Sequence, residues 1–153
     1  MKVIQTYDYE LISKLNQEVQ ELHRQMYPEY FKEYKFEAVK QFFKQIMTKD
    51  TNFFYVVRDG DHDMGYLWME KREHKENAFC NSYESIFLHH LNVLSAYRNT
   101  GVGKRLMETV YEVAESCEVK KIELDYWANN EVAKSFYETR GFKRYRDFLY
   151  KDL

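Results

Sequence analysis

Apolar positions along the chain change period several times, and each change marks an element. Val3 to Tyr7 reads as a short strand. Asp8 then stands where a helix cap belongs, and Leu11, Ile12, Leu15, Val19, Leu22 and Met26 recur at helical spacing until Pro28, the only proline. Phe36, Val39, Phe42, Phe43, Ile46 and Met47 repeat the helical pattern. From Asn52 the pattern turns β-rich. NFFYVV at 52–57 and MGYLWME at 64–70 flank the turn residues 58–63 and predict a hairpin, and the polar residues 72–84 predict a loop.

Ile86 to Leu94 is a long strand candidate. Val102, Leu106, Met107, Val110, Val113, Ala114 and Cys117 mark an amphipathic helix. KIELDYW, ending at Trp127, predicts a strand, and Asn129–Thr139 predicts a helix closed by Gly141. Phe142 to Tyr150 predicts a last strand. Strand, two helices, three strands, helix, strand, helix, strand fits an α/β (α+β) arrangement with helices on both faces of a mixed sheet.

The chain has 153 residues, enough for one domain, 1–153, with one sizeable core. A net charge of −2 removes the electrostatic case for a nucleic-acid partner. No apolar stretch approaches the ~20 residues of a membrane span. The amino terminus is charged where a signal peptide needs an apolar run. Cys80 and Cys117 form no CxxC pair and no zinc spacing. The expectation is a cytoplasmic protein with free thiols, no membrane partner and no metal.

Two of the chain's five glycines, Gly101 and Gly103, fall within three positions in YRNTGVGKRL. A P-loop needs a glycine where Arg98 stands and Ser or Thr where Arg105 stands, and a dinucleotide fingerprint needs a third glycine where Leu106 stands. What remains is Arg98-x-x-Gly101-x-Gly103 between a strand and a helix. The first amides of a helix have no internal partner, and glycine lets an anion approach them. A plain helix-capping turn is the alternative.

Downstream lies L-x-Y-x-x-x-N-x-x-A-x-x-F-Y-x-x-x-G-F, from Leu124 to Phe142. Together with V-x-x-x-Y-R-x-x-G-x-G at 93–103, it resembles the GCN5-related N-acetyltransferase (GNAT) superfamily. The resemblance implies a mixed sheet of about six to seven strands with about four helices. It also implies acetyl-CoA as co-substrate, its pyrophosphate held by Arg98, Asn99, Thr100, Gly101, Val102, Gly103 and Lys104. Main-chain groups of Leu91 and Val93 would meet the pantetheine arm, with the Leu91 amide also serving the oxyanion. Asn130, Ala133 and Tyr137 share one helix face. The resemblance places them at the cofactor, with Tyr137 as general acid; helix capping by Asn130 and a core role for Tyr137 are the alternatives.

For the general base the candidates are His89, His90, Glu84 or a water chain. Successive strand residues point to opposite faces, so one histidine faces the cleft unless a bulge upsets the count. The implied acceptor wall includes Tyr27, Glu29, Tyr30, Tyr66 and Trp68, an aromatic and mildly acidic set suited to an amine cation. The reaction implied is direct attack of a primary amine, on a small molecule, within a ternary complex. A protein or peptide amine acceptor and a non-catalytic CoA-binding regulatory module remain open. The aromatic YRDFLY leaves a homodimer open as well.

Overall fold

A computed structural model describes all of residues 1–153. Its elements are β1 (Lys2–Gln5), α1 (Tyr9–Met26), α2 (Phe36–Ile46), β2 (Asn52–Asp59), β3 (His62–His74), β4 (Tyr83–Val93), α3 (Val102–Ser116), β5 (Ile122–Glu123) and α4 (Glu131–Glu138), with a 3-10 turn at Ser95–Tyr97. The strands form one sheet in the order β1-β2-β3-β4-β5. Neighbours are antiparallel except β4 and β5, which are parallel. Asp8 caps α1 by accepting from the Leu11 amide at 2.9 Å. No helix is long and apolar enough to cross a membrane.

Strand alternation divides the buried side chains into two layers. Val57, Leu67, Met69, Ile86 and Leu88 pack with Leu106, Met107, Val110 and Val113 of α3. Phe54, Val56, Tyr66 and Trp68 pack on the other face with Ile12 and Leu15 of α1 and Phe43 of α2. Each fully buried side chain of this size contributes about 1.5–3 kcal/mol, so the two helical layers clamp the sheet from both sides.

Three expectations change. The sheet has five strands, not six to seven, because Phe142–Tyr150 forms no strand. After the Phe142 amide, which donates to the Tyr137 carbonyl at 3.2 Å, no main-chain amide of the segment makes a main-chain hydrogen bond. β-propensity makes a strand only where a partner edge is within reach. The loop predicted at 72–84 is also shorter, because β3 and β4 extend into it from both sides. β3 runs through His74 and β4 begins at Tyr83, and the polar residues 72–74 and 83–85 pair across the ladder.

β5 pairs with β4 only at Ile86↔Ile122 and Phe87↔Glu123, so the predicted strand 121–127 is cut to two residues. The cause lies two residues on. Trp68 faces His90 and Met69 faces Leu88, leaving His89 as the extra residue of a bulge. A bulge bends its strand and increases the local twist. β4 and the chain after β5 therefore part company.

Candidate active site

The parting of β4 from β5 leaves main-chain groups of β4 without a strand on that side. Leu94 donates its amide to the Met64 carbonyl of β3 at 3.0 Å. By alternation along an antiparallel ladder, the amides of Val93 and Leu91 point away from β3, into the opening. The side chain of Asn92 points the other way and donates to the Leu15 carbonyl at 2.9 Å, tying β4 to α1.

The opening ends at the glycine turn. Gly101 takes φ +89° with nothing within 4 Å of where a Cβ would stand, and Asn99 also has positive φ at 62°. The left-handed backbone, rather than crowding, is what asks for glycine at 101. The first α3 bond runs from the Arg105 amide to the Gly101 carbonyl at 3.0 Å, so the amides of Val102, Gly103 and Lys104 lie free of the helix. Gly103 has a different reason: a Cβ there would sit 3.1 Å from Phe136 Cε2 and 3.8 Å from Val93 Cγ2. α3, α4 and the end of β4 converge at that point. The Arg98 side chain is turned back, its Nε donating to the Val93 carbonyl at 3.3 Å. Thr100 Oγ1 donates to the Tyr97 carbonyl at 2.6 Å.

On α4, Asn130 is the N-cap and accepts from the Ala133 amide at 3.1 Å. Tyr137 is 9% exposed and packs among Tyr126, Phe136 and Phe142. Burial raises its phenol well above the ordinary value, against a smaller opposing effect of Arg140, so the hydroxyl stays protonated.

The bulge puts both histidines on the α1/α2 face, since each ring meets Trp68. His89 stacks on it at 4.1 Å and 12°, while His90 meets it edge-on at 5.0 Å. Their chemistry differs. His90 Nδ1 lies 2.7 Å from the Tyr66 hydroxyl, which accepts from Asn16 Nδ2 at 2.8 Å and so donates to the histidine. Burial, with the nearby His89 and His23, pushes His90 down to about 3. His89 Nε2 lies 2.8 Å from Glu70 Oε2, and Arg72 Nε donates to the same oxygen at 3.0 Å. Burial lowers the His89 pKa and Glu70 pulls part of it back, leaving it lowered. Burial pushes Glu70 up, but its bonds to His89 and Arg72 outweigh that and leave it lowered, hence ionised at neutral pH. With Nε2 held by a carboxylate, Nδ1 is the basic nitrogen of His89. Glu84 stands near the opposite end of β4 and pairs with Lys71 at 3.1 Å.

The five wall residues separate into two groups. Tyr66 and Trp68 are in the core, fully buried and 7% exposed, and Trp68 Nε1 donates to Asn52 Oδ1 at 2.7 Å. Tyr27 and Tyr30 instead meet Trp127, with ring centroids 4.5 and 5.6 Å away, and Phe31 joins at 5.1 Å. Tyr27 Oη accepts the Asn129 amide at 3.1 Å. This aromatic group links the α1–α2 connection to the loop before α4. Glu29 is exposed beside it. Trp127 and Glu70 went unread in sequence. The signal for Glu70 is the one-face series Tyr66, Trp68, Glu70 opposite an adjacent histidine pair; Trp127 has no comparable signal.

The acetyltransferase (GNAT) family model matches residues 16–142. The chain belongs to this family. Curated relatives include an uncharacterized N-acetyltransferase from Lactobacillus delbrueckii subsp. lactis, 26% identical over 65% of this chain and 56% of its own length. N-alpha-acetyltransferase 30 from Schizosaccharomyces pombe is 27% identical over 61% of this chain and 59% of its own. The chain thus spans a little over half of these relatives' length. Among solved structures, a tetramutant of the BH1408 protein from Bacillus halodurans superposes with TM-score 0.93 at 20% identity over 100% of both chains. The aminoglycoside 6'-N-acetyltransferase AAC(6')-Ig from Acinetobacter haemolyticus superposes with TM-score 0.75 at 15% identity, over 100% of this chain and 98% of its own. At these identities the structural likeness speaks for the GNAT fold alone.

The residues present suit the family's acyl donor. A pantetheine arm needs unpaired main-chain groups, and the Leu91 and Val93 amides face an opening. A diphosphate needs free amides beside a backbone without bulk, and residues 101–104 supply them.

Proposed function

We propose that the protein is an acetyl-CoA-dependent N-acetyltransferase that transfers an acetyl group to a primary amine of a small molecule by direct attack within a ternary complex. The observation that carries this reading is the opening between β4 and β5, into which the Leu91 and Val93 amides point and which ends at the Gly101 turn. A thioester laid along β4 would have its carbonyl oxygen within reach of the Leu91 amide, which would stabilise the oxyanion as the amine attacks. Bringing the two substrates together supplies most of the acceleration.

His89 is our choice of base. Its Nδ1 would take the ammonium proton, Glu70 would stabilise the resulting imidazolium, and the lowered pKa keeps the ring neutral and ready near pH 7. His90 is too firmly held neutral to serve. Tyr137 would donate a hydrogen bond, and then its proton, to the departing sulfur. The raised pKa means full proton transfer is completed only as the thiolate forms.

The small-amine preference rests on the wall of Tyr27, Tyr30, Phe31 and Trp127 beside Glu29, because aromatic faces and a carboxylate attract an alkylammonium. The likeness to N-alpha-acetyltransferase 30 favours a second reading, a peptide α-amine as acceptor. A panel of diamines, arylalkylamines, amino sugars and N-terminal peptides, read by thiol release from acetyl-CoA, separates the two. Turnover with peptides alone would replace the small-molecule reading. No turnover with any amine, despite acetyl-CoA binding, would replace both with a regulatory module.

A further inference from the structure

Asn16, Tyr66 and His90 form a polar chain through the apolar layer on the α1/α2 face. Tyr66 is fully buried with Phe43, Phe54 and Trp68, and Asn16 is 5% exposed. His90 meets Phe43, Tyr66 and Trp68 edge-on. Polar groups are costly in such a place unless they bond to one another. Here they do, and in a fixed direction. Asn16 Nδ2 donates to the Tyr66 hydroxyl at 2.8 Å, and that hydroxyl donates to His90 Nδ1 at 2.7 Å. With Nδ1 accepting, the proton of the neutral ring is on Nε2. Burial keeps the ring neutral, so protonation near pH 7 does not undo this order.

His89 is wired the opposite way. Its Nε2 donates to Glu70, which leaves Nδ1 as the acceptor. Tyr66 and Glu70 both belong to β3. The two nitrogens of an imidazole point in diverging directions. The second nitrogen of each ring therefore turns away from β3, toward the side of β4 that β5 has left. Both rings rest against Trp68 on one face of the sheet. His90 is half-buried, so it keeps an accessible part. The one buried side-chain polar atom without a partner is Glu123 Oε1, so His90 Nε2 is not sealed in the core. That face thus presents an N–H donor beside a bare nitrogen acceptor. Apolar side chains of the same shape in place of the Tyr66–His90 pair would be nearly neutral for stability, so folding alone does not ask for this wiring.

Building on the acetyltransferase reading above, we propose that His90 Nε2–H recognises an oxygen on the carbon next to the one that carries the acceptor amine, while His89 Nδ1 takes the amine's proton. An ammonium offers only donors, and a hydroxyl or carbonyl oxygen accepts. A donor and an acceptor side by side therefore match an amine with a neighbouring oxygen. A plain alkylamine leaves the His90 N–H without its bond, and a diamine sets a second ammonium against it. An amino alcohol with its two groups on adjacent carbons supplies the oxygen as a hydroxyl. It suits the small-molecule reading. The first residue of a peptide supplies an oxygen at the same place, as a carbonyl.

Phenylethanolamine and phenethylamine differ by that one hydroxyl. With acetyl-CoA saturating, kcat/KM for phenylethanolamine should be higher by about tenfold or more. His90→Leu should bring the ratio close to one. His90→Gln, whose amide N–H reaches the place of Nε2–H, should keep part of it. A still higher kcat/KM for phenylalanine amide would support the same contact and assign the oxygen to a peptide-like carbonyl. Nitrogen NMR of the histidine rings, on the protein with coenzyme A, tests the wiring with neither turnover nor a variant. His90 should carry its proton on Nε2, and phenylethanolamine but not phenethylamine should move that signal. A ratio near one, a ratio that His90→Leu leaves unchanged, or a His90 proton on Nδ1 overturns the proposal and leaves the acetyltransferase reading standing. A moved Nε2 signal without acetylation of any amine supports the contact and overturns the acetyl transfer.

Discussion

His89 reaches from β4 across to β3 and sets its Nε2 2.8 Å from Glu70 Oε2, with the Trp68 ring stacked against its face. A carboxylate so placed fixes the tautomer and steadies the imidazolium. Glu70→Gln should remove the raising influence, so the His89 pKa falls further. The acidic limb of the kcat/KM profile should move to lower pH while the plateau drops about tenfold, because a weaker base takes the proton less readily. His89→Gln should cost about 10²- to 10⁴-fold and erase that limb. A plateau loss in Glu70→Gln with an unmoved limb would reduce Glu70 to packing.

The neighbouring histidine is expected to govern stability. His90 sits near 3 when folded and near 6.5 when unfolded, so the unfolded state takes up a proton that the native state refuses. Its contribution is whole above about pH 6.5 and is lost as pH falls toward about 3, at up to about 1.4 kcal/mol per pH unit. His90→Gln should flatten this acid dependence in urea unfolding at pH 5 against pH 7. Tyr66→Phe, which leaves Asn16 and His90 without their shared hydroxyl, should cost about 1–3 kcal/mol at neutral pH.

Three glycines should respond unequally to alanine. Gly101→Ala should cost about 1–2 kcal/mol from the left-handed backbone and weaken acetyl-CoA binding. At Gly103 a gain of up to about 1 kcal/mol in helix propensity competes with about 1–3 kcal/mol of overpacking against Phe136. Arg140 lies over that ring at 3.5 Å and hinders its retreat, so a net loss is expected. Gly65→Ala should be worst, at or above about 3 kcal/mol, since its Cβ would fall 2.2 Å from the Asn92 carbonyl oxygen and only backbone movement could relieve it. Thermal unfolding with and without acetyl-CoA ranks all three.

Tyr137→Phe should lower kcat by about tenfold or more with little change in stability, because burial and the nearby Arg140, rather than a side-chain hydrogen bond, set the state of its hydroxyl. Trp127→Ala should act on the acceptor, raising its KM while leaving acetyl-CoA affinity intact. Steady-state kinetics with each substrate varied in turn distinguishes the two effects.

Much of this was legible in one dimension, where local rules apply. Helical spacing located α1, α2 and α3. Asp8 announced its capping role by chemistry and position, and capping was the alternative reading at Asn130 that the structure shows. The glycine spacing and the Asn-Ala-Phe-Tyr series pointed to the family whose model matches the chain. Each of these depends on contacts within a few residues, so sequence order carries them directly.

Only the tertiary structure decided the rest, because it depends on which strands meet and in what register. One extra residue opposite Trp68/Met69 turned both histidines to the same face, and burial then gave them different basicities. The same bulge ended the pairing of β5 and opened the edge of β4. Tyr66 and Trp68 alternate as a wall would, yet α1 and α2 cover them, while Trp127 arrived at the wall from a segment about a hundred residues away. Residues 142–150 have the composition of a strand but pair with no edge of their own chain. A β-strand is completed by another strand, and its own sequence does not name the partner.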